Sequence, residues 1–320
     1  GIYPADIDGD GDMDVVGVAN EADDIVWWEN TATFSFDPGW NAADINTNAG
    51  TPHCVFVADL DNDGDMDVIS ANYGADKVVW YENNNGDGSS WSAANIDTVG
   101  SDPQSVFAAD MDNDGDMDVV SASAGDDMVA WFENDNGDGS SWTPEQIDDD
   151  AESVRSVFAA DMDNDGDMDI VSASQSDNTI AWYENDGASD PSWSADDIDT
   201  NADGAKDVFV ADMDNDGDMD ILSASVQDST IAWYENDGAS DPSWSAADIT
   251  TSETQVYGVF AADIDNDGDM DIVSASWEDD TIAWHETSAI PEFSNIMAPI
   301  VSVLAIVGFN YRRRRVSPDE

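Results

Sequence analysis

The chain of 320 residues carries 73 Asp and Glu against 7 Lys and Arg, a formal net charge of −66, together with 41% hydrophobic residues, 13 Trp and one Cys. That balance excludes a nucleic-acid partner, because phosphate backbones are bound by Lys and Arg that replace counterions, and the lone Cys54 excludes an internal disulfide framework or a Cys-based zinc cluster. Acidic disordered chains are poor in aromatic and β-branched residues, whereas this one is rich in both, so a folded protein must offset the repulsion among its carboxylates with cations or salt.

The chain is a repeat. The string Asp-x-Asp-x-Asp-Gly-Asp-Met-Asp starts at Asp6, Asp59, Asp110, Asp161, Asp212 and Asp263. A second marker, Trp-aromatic-Glu-Asn, follows at Trp27, Trp80, Trp131, Trp182 and Trp233, and drifts to Trp284-His285-Glu286 in the last copy. A third, Trp with Ile five residues later, occurs at Trp40, Trp91, Trp142, Trp193 and Trp244. In repeat three, residues 105–109 are an apolar run predicted as a first strand, followed by the acidic loop 110–118. Residues 117–123 are predicted as a second strand, 125–127 as a turn and 128–133 as an aromatic-rich third strand. The Asn-Gly-Asp-Gly loop within 134–141 then leads to an outer strand at 142–147. Four short strands in about 50 residues, without a 3.6-residue apolar stripe, predict an all-β propeller of four-stranded blades. Stacking is expected to bury Val106, Phe107, Val119, Val129 and Trp131 against neighbouring blades, and closure of the ring to remove sheet edges.

The repeats divide as 1–53, 54–104, 105–155, 156–206, 207–257 and 258–286, followed by a linker 287–295, a hydrophobic segment 296–311 and a basic tail 312–320. Residues 1–6 align with 258–263, so the chain opens inside a first strand, and the last repeat lacks an outer strand. The missing strand is expected upstream of Gly1, in a ring of six or seven blades.

Alternating carboxylates with Gly at position six suit a hard cation such as Ca²⁺. Positions 1, 3, 5 and 9 offer carboxylates and position 7 a carbonyl. The candidate ligands are Asp6, Asp8, Asp10, Asp12 and Asp14 in loop 1, and Asp59, Asp61, Asp63, Asp65 and Asp67 in loop 2. Loop 3 has Asp110, Asp112, Asp114, Asp116 and Asp118, and loop 4 Asp161, Asp163, Asp165, Asp167 and Asp169. Loop 5 has Asp212, Asp214, Asp216, Asp218 and Asp220, and loop 6 Asp263, Asp265, Asp267, Asp269 and Asp271. Up to six Ca²⁺ ions are therefore expected. An EF-hand is excluded, since position 12 is Gly17, Ser70, Ser121, Ser172, Ser223 or Ser274 rather than Glu.

On these loops the chain resembles FG-GAP/VCBS-type repeats, as in integrin α-subunit propellers, over roughly residues 1 to 286. The resemblance implies Ca²⁺ between the first two strands of each blade, on secreted or cell-surface proteins. Beyond the repeats, Pro291-Glu292-Phe293, an apolar stretch and Arg312 to Arg315 look like a PEF-type prokaryotic, especially archaeal, sorting tail. The arginines are expected to stay cytoplasmic and the propeller outside, with the tail as membrane anchor or as a substrate for a sortase-like enzyme.

No catalytic constellation emerges. His53 and His285 read as structural or surface histidines, Cys54 as a small buried residue facing away from His53, and Trp277 as an exposed ring that a sugar could stack on. The expectation is an extracellular, surface-anchored, calcium-binding propeller for adhesion or for binding glycans or proteins. The alternatives are the scaffold of a carbohydrate-active lyase or hydrolase, and a passive surface-layer spacer.

Overall fold

Apolar runs of six or seven residues, punctuated by turns whose residues tolerate left-handed backbone, fold into short antiparallel strands. This computed structural model describes residues 1–31, 39–97 and 100–287; the Pro-Glu-Phe signal, the hydrophobic segment and the arginine tail lie outside the described residues.

Blade 1 comprises β1 (Ile2–Ala5), β2 (Asp14–Ala19), β3 (Asp24–Asn30) and β4 (Trp40–Asn46). Blade 2 has β5 (Pro52–Ala58), β6 (Asp67–Asn72), β7 (Lys77–Asn83) and β8 (Trp91–Asp97). Blade 3 has β9 (Pro103–Ala109), β10 (Asp118–Ser123), β11 (Met128–Asn134) and β12 (Trp142–Asp148). Blade 4 has β13 (Val154–Ala160), β14 (Asp169–Ser174), β15 (Thr179–Asn185) and β16 (Trp193–Asp199). Blade 5 has β17 (Ala205–Ala211), β18 (Asp220–Ser225), β19 (Thr230–Asn236) and β20 (Trp244–Thr250). Blade 6 has three strands among the described residues, β21 (Val256–Ala262), β22 (Asp271–Ser276) and β23 (Thr281–His285). Every sheet is a meander with its strands in chain order, the propeller arrangement predicted from the repeat. Among the described residues, no helix is long and apolar enough to cross a membrane.

The first strands of successive blades abut one another. Their aromatic residues form a belt, Tyr3, Phe56, Phe107, Phe158, Phe209 and Phe260, with successive ring centroids between 4.5 and 5.2 Å apart. The second strands β6, β10, β14 and β18 are buried along their whole length, because a blade packs on each face. Val106, Val119, Val129 and Trp131 are buried as predicted, and Phe107 is half-buried. Both tryptophan markers serve the interface between blades: Trp131 meets Trp193 edge-on at 6.3 Å, and Trp182 meets Trp244 at 6.4 Å. Such pairs add about 0.5–1.5 kcal/mol beyond their buried area.

A polar contact runs through these apolar interfaces. Tyr183 donates to Asp148 of the preceding blade and lies 3.3 Å from Ser172, and Tyr234 repeats this with Asp199 and Ser223. In blade 3 the ring is Phe132, and the Ser121 hydroxyl beneath it is buried without a partner.

The stacking expected to cover every blade stops at blade 6. Ile231 of blade 5 is fully buried, whereas its counterpart Ile282 is 80% exposed, and Phe260 and Trp284 are about half exposed. The same apolar pattern is thus open where, among the described residues, no further sheet lies on it.

Candidate metal centre

The acidic loops sit between the first and second strands of each blade, and their backbone explains the spacing. Position 4 takes left-handed φ values, 68° at Gly9 and 58–62° at Asn62, Asn113, Asn164, Asn215 and Asn266. Position 6 requires Gly, with φ from 94° to 100°. The chain therefore coils back on itself, and the first Asp accepts the position-6 N–H: Asp110 from Gly115 at 3.0 Å, Asp161 from Gly166 at 3.0 Å. Position 5 donates to positions 1 and 3, and position 7 donates to position 5.

The coil brings together the carboxylates of positions 1, 3 and 5. Oxygens of Asp6, Asp8 and Asp10 lie within 4.8 Å of one another, as do those of Asp59, Asp61 and Asp63, of Asp161, Asp163 and Asp165, and of Asp212, Asp214 and Asp216. In loop 3 the group is Asp110, Asp112 and Asp118. These donors fit a hard cation: they are oxygens only, concentrated and incompletely satisfied, and Asp6 Oδ1 is buried with no hydrogen-bond partner. Burial, followed by the neighbouring Asp63, pushes the Asp61 carboxyl up to about 6. Asp163 and Asp214 shift upward for the same reasons. Like-charge crowding of this kind is relieved by a metal.

Position 9 has a second task that the sequence pattern did not reveal. Asp118 is 1% exposed, and its two oxygens accept N–H groups from Met111 at 3.1 Å and Asn134 at 2.8 Å. Asp14, Asp67, Asp169, Asp220 and Asp271 repeat this staple from loop to strand end. Burial pushes Asp67, Asp118 and Asp169 up to about 7 and Asp220 to about 6, against the pull of those N–H donors.

Two asparagines were also missed. The Asn of Trp-aromatic-Glu-Asn ties neighbouring blades: Asn134 Nδ2 donates to Leu60 O of the previous loop at 2.8 Å, and Asn185 to Met111 O at 2.7 Å. The position-4 asparagines reach the next loop, three of them at its position 7 and Asn215 at its position 6. Asn62 donates to Asp116 at 2.8 Å, Asn113 to Asp167 at 2.5 Å and Asn164 to Asp218 at 2.7 Å, while Asn215 donates to Gly268 O at 3.0 Å. Asp116 is also boxed in by Gly137, whose φ of 64° and contact with that carboxylate leave no room for a side chain. The signal for these asparagines was recurrence at one loop position, which only the register between blades turns into a contact. The Glu of the same motif adds negative potential, Glu82 raising Asp61 and Glu184 raising Asp163.

The remaining candidates are placed as follows. Cys54 is partly buried, its thiol pushed up by burial. Trp277 is 72% exposed beside Tyr257. His285 pairs with Glu253 at 2.7 Å and approaches Ser274 at 3.1 Å, both through Nε2. One nitrogen serving acid and hydroxyl alike is not a nucleophile relay, which needs both ring nitrogens. This cluster fills the site that Tyr183 or Tyr234 occupies in other blades.

Solved structures resemble this fold at low sequence identity. A putative 6-phosphogluconolactonase from Bacteroides uniformis superposes with a TM-score of 0.57 at 13% identity, covering 88% of this chain and 79% of that one. The nidogen/laminin complex gives 0.51 at 7% identity, with 82% and 86% covered. The V. cholerae biofilm matrix protein Bap1 gives 0.48 at 18% identity, with 82% and 40% covered. Comparison with curated proteins finds no match. The FG-GAP-like repeat model matches residues 6–70, 59–121, 111–172, 161–223 and 212–274, and the chain belongs to the FG-GAP-like repeat family.

Proposed function

We propose that the protein is a calcium-stabilised, extracellular ligand-binding propeller held at the cell surface by its C-terminal tail. The observation that carries the metal reading is the repeated convergence of three carboxylates within 4.8 Å, one of them ending in the unpartnered Asp6 Oδ1. A bound Ca²⁺ supplies the positive charge and the six to eight oxygen coordination sites that such a donor set suits. Asp6, Asp8 and Asp10 and their counterparts hold the ion, the position-7 carbonyl adds an oxygen, and the position-9 carboxylate fixes the loop to the sheet and, as Asp118 does beside Asp110 and Asp112, also faces the ion. The blades are then rigid supports for the side chains that differ between repeats. The surface location is supported by the net charge of −66 and by the order of apolar segment and arginines.

Elemental analysis of the purified full chain after gel filtration in metal-free buffer tests the first part, with up to six calcium ions per chain expected and a calcium-free protein overturning it. Protease treatment of intact producing cells tests the second. Loss of the propeller is expected, and full protection would refute the surface location.

A further inference from the structure

The repeats are nearly identical at the acidic loops and diverge at one place in the first strand. In blades 2 to 6 the pairing of first and second strands shifts register near the start of the first strand. The extra residue is His53 between Pro52 and Cys54, Gln104 between Pro103 and Ser105, Arg155 between Val154 and Ser156, Lys206 between Ala205 and Asp207, and Tyr257 between Val256 and Gly258. A bulge re-aims its side chain and frees it from the ladder, which is why bulges border functional sites. The five positions recur every 51 residues, yet they hold five different residue types.

The bulged residues form an arc. His53 Nδ1 lies 3.0 Å from Gln104 Oε1, and the His53 ring stacks on Tyr73 with centroids 4.7 Å apart. Lys206 Nζ sits 5.3 Å from the centre of the Tyr257 ring. Arg155 and Lys206 are close enough to repel: burial first, and Arg155 next, hold the Lys206 ammonium down to about 8. Burial lowers His53, and the charges of Lys206 and Arg155 add to that.

The charge arithmetic makes this arc unusual. Outside the tail the chain has only three basic residues, Lys77, Arg155 and Lys206, and two of them occupy neighbouring bulges. Among the described residues neither of these two is in an ion pair within 4.0 Å, unlike His285, which pairs with Glu253. Arg155 Nη2 donates to Ser153 Oγ at 3.1 Å, and its Nε is buried with no partner. Asp207, beside Lys206, is already engaged: it accepts from Ser156 Oγ at 2.9 Å and Val259 N at 3.0 Å. Asp207 attracts Lys206 but is itself buried and held by those two donors, so two half-buried cations share one occupied carboxylate and are placed for an acceptor from outside.

We propose that Arg155 and Lys206, flanked by Gln104 and His53, form an oxyanion-binding site at the end of the first strands remote from the acidic loops, which takes the carboxylate, sulfate or phosphate group of an acidic ligand. The proposal deepens the ligand-binding reading and rests on it, but does not rest on calcium occupancy. Arg155 supplies planar paired donors and Lys206 a point charge, while the Gln104 amide and the Tyr257 ring border the ligand.

The test is isothermal titration of the full chain with inorganic sulfate, with trigalacturonate and with neutral galactotriose, for wild type, for Arg155→Gln/Lys206→Gln, and for Lys77→Gln. Saturable binding of sulfate or trigalacturonate is expected, absent for galactotriose, weakened at least about tenfold in the double variant and unchanged in Lys77→Gln. Sulfate alone points to a tetrahedral oxyanion, and trigalacturonate alone to an acidic sugar; either supports the site. No saturable binding of either anion, or equal binding by the double variant, overturns it. Calcium content and circular dichroism of each variant are read separately, so loss of the metal or of the fold is distinguished from loss of the site.

Discussion

In blades 2 to 6 the two ends of the first strand follow opposite rules. At the end entering the acidic loop, the residues repeat from blade to blade and their side chains bind backbone, neighbouring loops and, in our reading, calcium. At the bulged end, the backbone device repeats while the side chain changes from His53 to Gln104, Arg155, Lys206 and Tyr257. A repeat protein keeps constant what every blade needs to stand, and varies what a single ligand needs in order to be recognised. Damage to the loop end should therefore appear as lost stability, and damage to the bulged end as lost binding.

Removing calcium is expected to have the largest effect. Each ion bound well above its dissociation constant stabilises the native state by mass action, so chelation with EDTA should lower the melting temperature by on the order of 20 °C. Calorimetry that finds no shift would break the contrast at its root. Next comes the staple. Asp169→Ala orphans the N–H groups of Met162 and Asn185, which Asp169 accepts at 3.0 and 2.8 Å. A loss of about 2–5 kcal/mol is expected in urea titration, with or without calcium. Asp165→Asn, at an exposed loop position, should matter only when calcium is present.

The staple also predicts a pH dependence. Asp67, Asp118 and Asp169 titrate near 7 in the fold against 3.8 unfolded, because burial favours their neutral form. The calcium-free fold thus holds protons that the unfolded chain releases. Its stability is full on the acid side of that window and is lost as pH rises toward 7. Calorimetry in EDTA should show a melting temperature that falls by roughly 5 °C between about pH 5 and pH 7.5. The smallest expected effect is that of Asn113→Ala, which removes one contact between loops and should cost about 0.5–1.5 kcal/mol in the same urea assay.

What the sequence made legible was whatever recurred. The six loops, the four-strand unit and the buried Val119 and Trp131 could be read because identical spacing implies identical geometry. The first strand of blade 3 was drawn from residue 105, but it begins at Pro103, and the bulge at Gln104 lies in the difference. A bulge has no composition of its own: it is defined by pairing, and pairing is not visible in one strand. The role of Asp118 was obscured for a related reason. Carboxylates alternating along a loop suggest one common destination, whereas burial at the strand end gives the last of them backbone N–H groups to hold as well, while Asp118 still lies within 4.8 Å of Asp110 and Asp112. The open face of blade 6 was concealed by similarity itself, since Ile282 and Ile231 belong to the same pattern and differ only in what lies over them.

The asparagine contacts cross the blade boundaries in both chain directions. Asn62, Asn113 and Asn164 each donate to the loop of the following blade, whereas Asn134, Asn185 and Asn236 donate to the loop of the preceding one. Gly9 stands at the forward-donating position in loop 1 and has no side-chain amide to give. The boundaries from blade 2 to blade 5 are therefore tied from both sides, so one blade cannot slide along its neighbour without breaking an asparagine contact.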